Sequence, residues 1–220
     1  MDVWFVRTAA LTDAEAASAK ELLSGDECER QRHFRTETLR RDFAIRRALV
    51  RLALSHEAGV DPRAWTFGTI GNGRPCIVSP AAGELDFNVS DTKGLIAVVI
   101  ARGVRAAIDV EHLGRQTSIE RMARRYFSAE EQQALFALDE PRRHRRFLEL
   151  WTAKEAYVKA LGTGVAHGFR GFSIRFDPLR VDGGWHLEQP VLGDDYLATV
   201  AMRGDARPLE IRDAISLFTG

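Results

Sequence analysis

Cysteine is scarce in this chain of 220 residues: only Cys28 and Cys76 occur, and they form neither a C-x-x-C pair nor a zinc-ligand cluster. A disulfide scaffold is therefore not expected, and a reducing, cytoplasmic setting is. Long apolar runs are missing as well. The longest, Leu95 to Ala101, falls far short of the roughly 18 residues of a membrane-crossing helix, so no membrane association is expected. Met1 to Leu11 is too short and too polar to read as a signal peptide. No charge of one sign dominates: 31 basic residues face 31 acidic ones. That balance speaks against a dedicated nucleic-acid binder, which carries a basic excess. With 45% hydrophobic residues it speaks equally against disorder. There is no low-complexity linker and no residue-level repeat.

What is present suits one large domain or two small ones packed together. Val3 to Val6 reads as a strand. The capping-box spacing of Thr12 and Glu15 predicts a helix from Asp13 to about Leu23. Arg30 to His56 reads as one long helix, and Trp65 to Ile70 as a strand ending in the turn Gly71-Asn72-Gly73. Leu95 to Ala101 and Val104 to Val110, around Arg102-Gly103, have the composition of a β-hairpin. Ser128 and Glu131 repeat the capping-box spacing. Pro141 to Leu161 is a second long helix, and Phe172 to Phe176, Trp185 to Leu187 and Tyr196 to Met202 are strand-like. The order predicts an α+β fold of two halves meeting near residue 110, bounded as 1–107 and 108–220.

Four stretches carry chemistry. On a strand, Asp109 and Glu111 point to the face opposite Ile108 and Val110. Two residues advance a strand by roughly 6.5 Å, so two carboxylates can converge on one hard cation such as Mg²⁺. A bare D-x-E is also an ordinary solvated strand end. On the second long helix, the apolar stripe through Phe147, Leu150, Trp151, Tyr157, Val158 and Leu161 lands in its middle turn on Lys154 and Glu155. A buried carboxylate needs a partner, and Lys159, one turn on, stands beside Glu155; a surface Glu–Lys pair is the alternative. Phe87-Asn88-Val89-Ser90-Asp91-Thr92 offers small polar donors for phosphate but reads by itself as a turn. The arginines from Arg30 to Arg51 offer either a solvated face or cations for a polyphosphate, and Arg142 to Arg146 reads as solvated surface.

Taken together and in order, these residues resemble the Sfp-type 4′-phosphopantetheinyl transferases. The matching residues are Gly73-Arg74-Pro75, Phe87-Asn88-Val89-Ser90, Ile108-Asp109-Val110-Glu111, Arg125-Tyr126-Phe127-Ser128, and Leu150-Trp151-Thr152-Ala153-Lys154-Glu155-Ala156-Tyr157-Val158-Lys159-Ala160 with Gly162 and Gly164. The D-x-E followed by W-x-x-K-E-x-x-x-K is the specific part.

The resemblance implies two similar α/β halves forming an intramolecular pseudo-dimer with the site between them. It implies Mg²⁺-dependent transfer of the 4′-phosphopantetheine arm of coenzyme A to a serine of an apo acyl or peptidyl carrier protein, releasing adenosine 3′,5′-bisphosphate. Mn²⁺ is the alternative metal. Asp109, Glu111 and Glu155 fall on the metal ligands, with Glu155 also the base, directly or through a bound water. Lys159 falls on the lysine near the pyrophosphate. Arg74, Pro75 and Ser90 fall on coenzyme A contacts, as does Lys154 within the motif. The family arginine of the first long helix corresponds to Arg40 or Arg41, with Asp42 a third register. Relatives commonly carry His after the motif serine, near the 3′-phosphate of coenzyme A; here it is Asp91, which cannot donate to phosphate when ionised. Either a nearby arginine replaces it, or Asp91 orients one. A monomer is expected, with carrier docking assigned by family analogy to exposed apolar residues of Ile119 to Leu138 and to Arg121, Arg124 and Arg125. The rival is a relative that binds coenzyme A or a nucleotide without catalysis.

Overall fold

The computed structural model describes residues 1–163 and 168–219; Gly164 of the helix motif lies outside them. Strand β1 (Asp2–Arg7) is followed by α1 (Asp13–Lys20), α2 (Gly25–Arg32) and α3 (Glu37–Ala58). Strands β2 (Thr66–Ile70), β3 (Arg74–Ser79), β4 (Leu85–Thr92), β5 (Leu95–Arg102) and β6 (Ala106–His112) come next. Helices α4 (Ile119–Tyr126), α5 (Ala129–Phe136) and α6 (Glu140–Leu161) lead to β7 (Trp185–Glu188), β8 (Tyr196–Arg203), β9 (Glu210–Asp213) and the short α7 (Ile215–Phe218). The fold is α+β, as expected.

The strands form a sheet ordered β4-β5-β1-β9, a sheet ordered β6-β8-β7, and a separate β2-β3 pair. Strand β5 is apolar from Leu95 to Ala101 because both of its faces are covered there. Ile96, Val98 and Ile100 join the α3 residues Ile45, Leu49 and Leu54 in one cluster. Leu95, Ala97, Val99 and Ala101 join Ala106, Ile108 and Val110 of β6 and Val200 and Met202 of β8 in another. Helix α6 covers the far face of the second sheet, with Leu148, Trp151 and Ala156 in the cluster that takes Ala107 and Ala201. Asp109 and Glu111 share the face of Ala107 by the two-residue period, so the fold turns both carboxylates towards α6.

Four expectations are corrected. Strands β5 and β6 form no hairpin: both edges of β5 are taken by β4 and β1, while β6 pairs with β8. The turn after Arg102 switches sheets. Phe87 to Thr92 is no turn but the body of β4. Its polar side chains act in place of backbone acceptors, taking the β6 amides of Ala106 (Asp86, 3.1 Å), Ile108 (Asn88, 3.1 Å), Val110 (Ser90, 3.4 Å) and His112 (Thr92, 3.2 Å). The chain end returns to the first sheet, β9 pairing in parallel with β1. Phe172 to Phe176 is largely irregular, touching strand geometry only in the Arg175–Arg180 bridge, and the first long helix is two helices, broken between Arg32 and Glu37.

The two halves repeat a device that composition conceals. Helices α2 and α5 each open on a capping box, Ser24 with Glu27 and Ser128 with Glu131, and α3 and α6 are each 22 residues long and end at a left-handed glycine, Gly59 or Gly162. At the same step of the two long helices stand Arg51 and Lys154. Each is buried, binds the capping-box glutamate of its own half at 2.8 or 2.9 Å, and donates to a carbonyl of the following segment, Trp65 or Phe169.

Candidate active site

Strand β6 brings Asp109 and Glu111 to the junction of the halves, β4 brings Ser90 and Asp91, and α6 brings Trp151, Glu155 and Lys159. With Arg46 of α3 and Arg115 after β6 they line a cleft of about 450 Å³. Lys159 Nζ donates to Asp109 Oδ1 at 2.7 Å and to Ser90 Oγ at 3.0 Å, and Ser90 Oγ donates to Asp109 Oδ1 at 2.9 Å. Asp109 is nearly buried, and its second oxygen, Oδ2, has no hydrogen-bond partner among the described residues. Glu111 is paired with Arg115, whose guanidinium also lies 5.3 Å from the centre of the Trp151 ring. The Glu155 carboxyl is pushed above the usual carboxylate range, first by burial and then by the charge of Asp109; Lys159 and Arg115 oppose the shift.

Among the described residues, no three His, Cys, Asp or Glu side chains are grouped as a ready metal-ligand cluster. Lys159 on Asp109 and Arg115 on Glu111 stand where a cation's charge would act. The donor set nonetheless fits a hard divalent ion. Three carboxylates face one cleft, one buried carboxylate oxygen is unpartnered, and burial, with the charge of Asp109 second, penalises the ionised form of Glu155, a cost that a cation would offset; oxygen donors of this kind suit Mg²⁺.

Several predicted contacts lie elsewhere. Lys154 is not at the cleft. It is fully buried behind α6, bonded to the carbonyls of Phe169 and Phe172 at 2.7 and 2.8 Å and paired with Glu131, so no donor faces a ligand. Adjacent helical residues lie about 100° apart, which sends Lys154 to the core and Glu155 to the cleft. Arg74 is a strut: it donates to the carbonyls of Lys159 and Ala106, both at 2.8 Å, and to Asp86 at 2.7 Å. Arg41 donates to the carbonyls of Thr8 and Leu11, and Arg40 pairs with Glu37; neither is among the residues lining the cleft or the basin beside it. Pro75 lines that basin, which opens between α2, α3 and the β2–β3 pair. In α4, Ile119, Met122 and Tyr126 pack against the second core, and Arg121, Arg124 and Arg125 are exposed.

Sequence reasoning passed over Arg115 and Trp151 as cleft residues and did not separate Arg46 from its neighbours. The available signal for Arg115 was its place four residues after Glu111. For Arg46, nothing local distinguishes it from Arg47 or Arg51.

Comparison with known proteins finds relatives of one family. Residues 105–200 match the model of the 4′-phosphopantetheinyl transferase superfamily. The 4′-phosphopantetheinyl transferase HetI of Nostoc sp. is 31% identical over 188 residues, which is 83% of this chain and 79% of that protein. The 4′-phosphopantetheinyl transferase Sfp of Bacillus subtilis is 32% identical over 142 residues, 64% of this chain and 60% of Sfp. A solved holo-(acyl-carrier-protein) synthase of Bacillus anthracis, in complex with CoA (3′,5′-ADP), superposes on 46% of this chain and 98% of its own with a TM-score of 0.38 and 25% identity. The chain belongs to the 4′-phosphopantetheinyl transferase superfamily, and it is an enzyme of that kind.

Proposed function

We propose that the chain transfers the 4′-phosphopantetheine arm of coenzyme A to a serine hydroxyl of an apo acyl or peptidyl carrier protein, leaving adenosine 3′,5′-bisphosphate. The observation that carries this reading is the single cleft in which Asp109, Glu111, Glu155 and Lys159, far apart in the chain, face one another at the seam of the two halves. Asp109, Glu111 and Glu155 would hold Mg²⁺, or Mn²⁺, which when bound neutralises the charge of the pyrophosphate.

The residues divide the work. Lys159, fixed on Ser90 and Asp109, sets a positive charge where the leaving adenosine bisphosphate gains its negative charge. The carrier serine oxygen forms the new bond to the pantetheine-side phosphorus while the bridging P–O bond breaks, and Glu155 takes the serine proton. Burial first and the charge of Asp109 second raise its proton affinity above the usual carboxylate range, the direction that strengthens a general base. Arg74 ties β3 and β6 to the end of α6, holding the halves in register. The first half, 1–107, supplies the coenzyme A contacts, Pro75 and Ser90 among them; the second, from 108 on, supplies the carboxylates and, through the basic face of α4, carrier docking.

Both walls of the cleft come from one chain, which supports a monomer. No described helix is long and apolar enough to cross a membrane, and both cysteines are free, which supports a cytoplasmic enzyme. The test is direct. Protein, coenzyme A, Mg²⁺ and a panel of apo carriers are mixed, and a carrier should gain the mass of one phosphopantetheine arm, with chelator preventing it. Tight coenzyme A binding with no mass gain on any carrier would favour the binder instead.

A further inference from the structure

Thr152 and Thr199 are hydroxyl residues with no exposed surface, set in the apolar layer where α6 lies on β8. On β8, Leu197 and Ala201 share the face of Thr199 by the two-residue period. On α6, Leu148 and Ala156 stand four residues before and after Thr152. All four belong to the second core, so both stripes call for an apolar side chain where the threonines stand. The hydroxyls instead meet across the layer, Oγ1 to Oγ1 at 3.0 Å. Thr152 Oγ1 also donates to the carbonyl of Glu149 at 3.1 Å, and Gln189 Nε2 donates to Thr199 Oγ1 at 3.3 Å. A carbonyl can only accept. The Thr152 hydrogen is therefore spent on it, and Thr199 is the donor of the pair.

The repeated helix-on-sheet layer does not itself require this bond. At the same step of α3 stands Leu49, equally buried and packed in an apolar cluster. The bond occurs in the half that carries the acids, and at their level. Thr199 is directly opposite Asp109 in the β6–β8 ladder, and the Cβ atoms of such a pair lie about 4.5–5.5 Å apart. Thr152 precedes Glu155 by three residues, so the two are neighbours on the helix surface. Burial and nearby charges act on the Glu155 carboxyl, but no hydrogen bond among the described residues does. Its place is thus set by where α6 sits. Lys159 also ties α6 to β6, through Asp109, but from within the cleft. The threonines lie behind it and are not among its lining residues, so no ligand draws on them.

We propose that Thr152 and Thr199 are positioning residues for the metal-binding acids: their bond sets the seat of α6 on the second sheet, and with it the spacing of Glu155 and Asp109 that a divalent ion requires. This rests on the metal-dependent transferase reading above and assigns its geometry to a pair of side chains that touch neither ion nor substrate.

The test replaces each threonine by Val, which keeps the shape and removes the hydroxyl, and by Ser, which keeps the hydroxyl and removes a methyl group. A further protein carries both Val changes. Melting in chelator, Mn²⁺ binding by calorimetry and turnover against Mg²⁺ concentration are measured. Thr152→Val and Thr199→Val should weaken Mn²⁺ binding by about tenfold, the low end for residues that support metal ligands from behind. The Mg²⁺ concentration for half-maximal turnover should rise by the same factor. The Ser variants should melt below wild type for want of the methyl group, yet keep its Mn²⁺ affinity. The double Val protein should melt close to wild type, since both partners are now apolar, and still bind Mn²⁺ as weakly as either single variant. Coenzyme A binding in chelator should be unchanged throughout. Val variants with wild-type Mn²⁺ affinity, or an affinity that merely follows melting temperature across the series, overturn the proposal while leaving the transferase reading intact. If the wild type modifies no carrier, that reading fails, and the Mn²⁺ titrations still decide the role of the threonines; a wild type that binds no Mn²⁺ overturns the proposal as well.

Discussion

Ser90 and Asp109 meet across the seam of the molecule, hydroxyl to carboxylate at 2.9 Å, with Lys159 Nζ in contact with both. One residue comes from the first sheet, one from the second, and the lysine from the helix that covers the second. The same Ser90 oxygen accepts the Val110 amide, so its hydroxyl hydrogen has one useful direction, towards Asp109. The triad fixes the carboxylate before any ligand arrives.

Replacing Ser90 with Ala should therefore act on geometry more than on folding. The stability cost is expected near 1 kcal/mol, the usual scale for one hydrogen bond. Turnover should fall by at least about tenfold, since small displacements of a positioned group are costly. Urea unfolding and kcat together check this; an unchanged kcat removes Ser90 from the positioning role.

Glu155→Gln should separate activity from stability. The folded carboxyl binds its proton more tightly than the unfolded one, through burial first and the charge of Asp109 second. The ionised group thus opposes folding. This penalty is absent below the usual carboxylate range and grows as pH rises through it towards the raised folded value. In chelator at neutral pH, the Gln variant should melt higher than wild type, and the gap should close in acid. With Mg²⁺ restored, turnover should drop by about a hundredfold or more. Melting curves against pH and the carrier mass assay test both halves.

Lys154→Met should be a folding variant rather than a binding one. Removing the ammonium leaves Glu131 buried without its cation, and breaking such a pair typically costs about 3–5 kcal/mol. The KM for coenzyme A in the fraction that folds should match wild type. A large KM change at near-normal stability would return Lys154 to the ligand site.

Charge reversal at Arg121, Arg124 and Arg125, all exposed on α4, should raise the KM for an acidic carrier by about tenfold at low salt. The effect should fade as salt approaches the molar range, and coenzyme A binding should not change. A KM that ignores these charges removes α4 as the docking face.

The elements most legible in the sequence were those whose signals are local. Helix α6 was readable because an acidic first turn, a proline at its start and a glycine at its end bracket a strong apolar stripe. The D-x-E strand was readable from alternation alone. Misreadings arose where a partner far along the chain decides. Strands β5 and β6 look like a hairpin because nearness favours pairing, yet β5 already has a neighbour on each edge. The polar run in β4 looks like a turn because its polar side chains serve to bind β6, a strand of the other sheet. The short, polar β9 pairs with β1 across almost the whole chain, a relation no local pattern encodes.

The amino-acid order alone determined the chemistry on offer: three acids and a lysine at motif spacing, two long helices with apolar stripes, and a chain able to fold as two α/β halves. Only the tertiary structure decided which charges reach the cleft. Lys154 and Glu155 are neighbours in sequence, yet one faces a buried glutamate and the other Asp109. Of the clustered arginines, Arg41 and Arg51 bind carbonyls, as the isolated Arg74 does, while Arg46 keeps most of its fork at the seam. The reason is physical. A side chain's charge is written in the sequence, but its direction follows from the helix turn and sheet face that long-range packing selects.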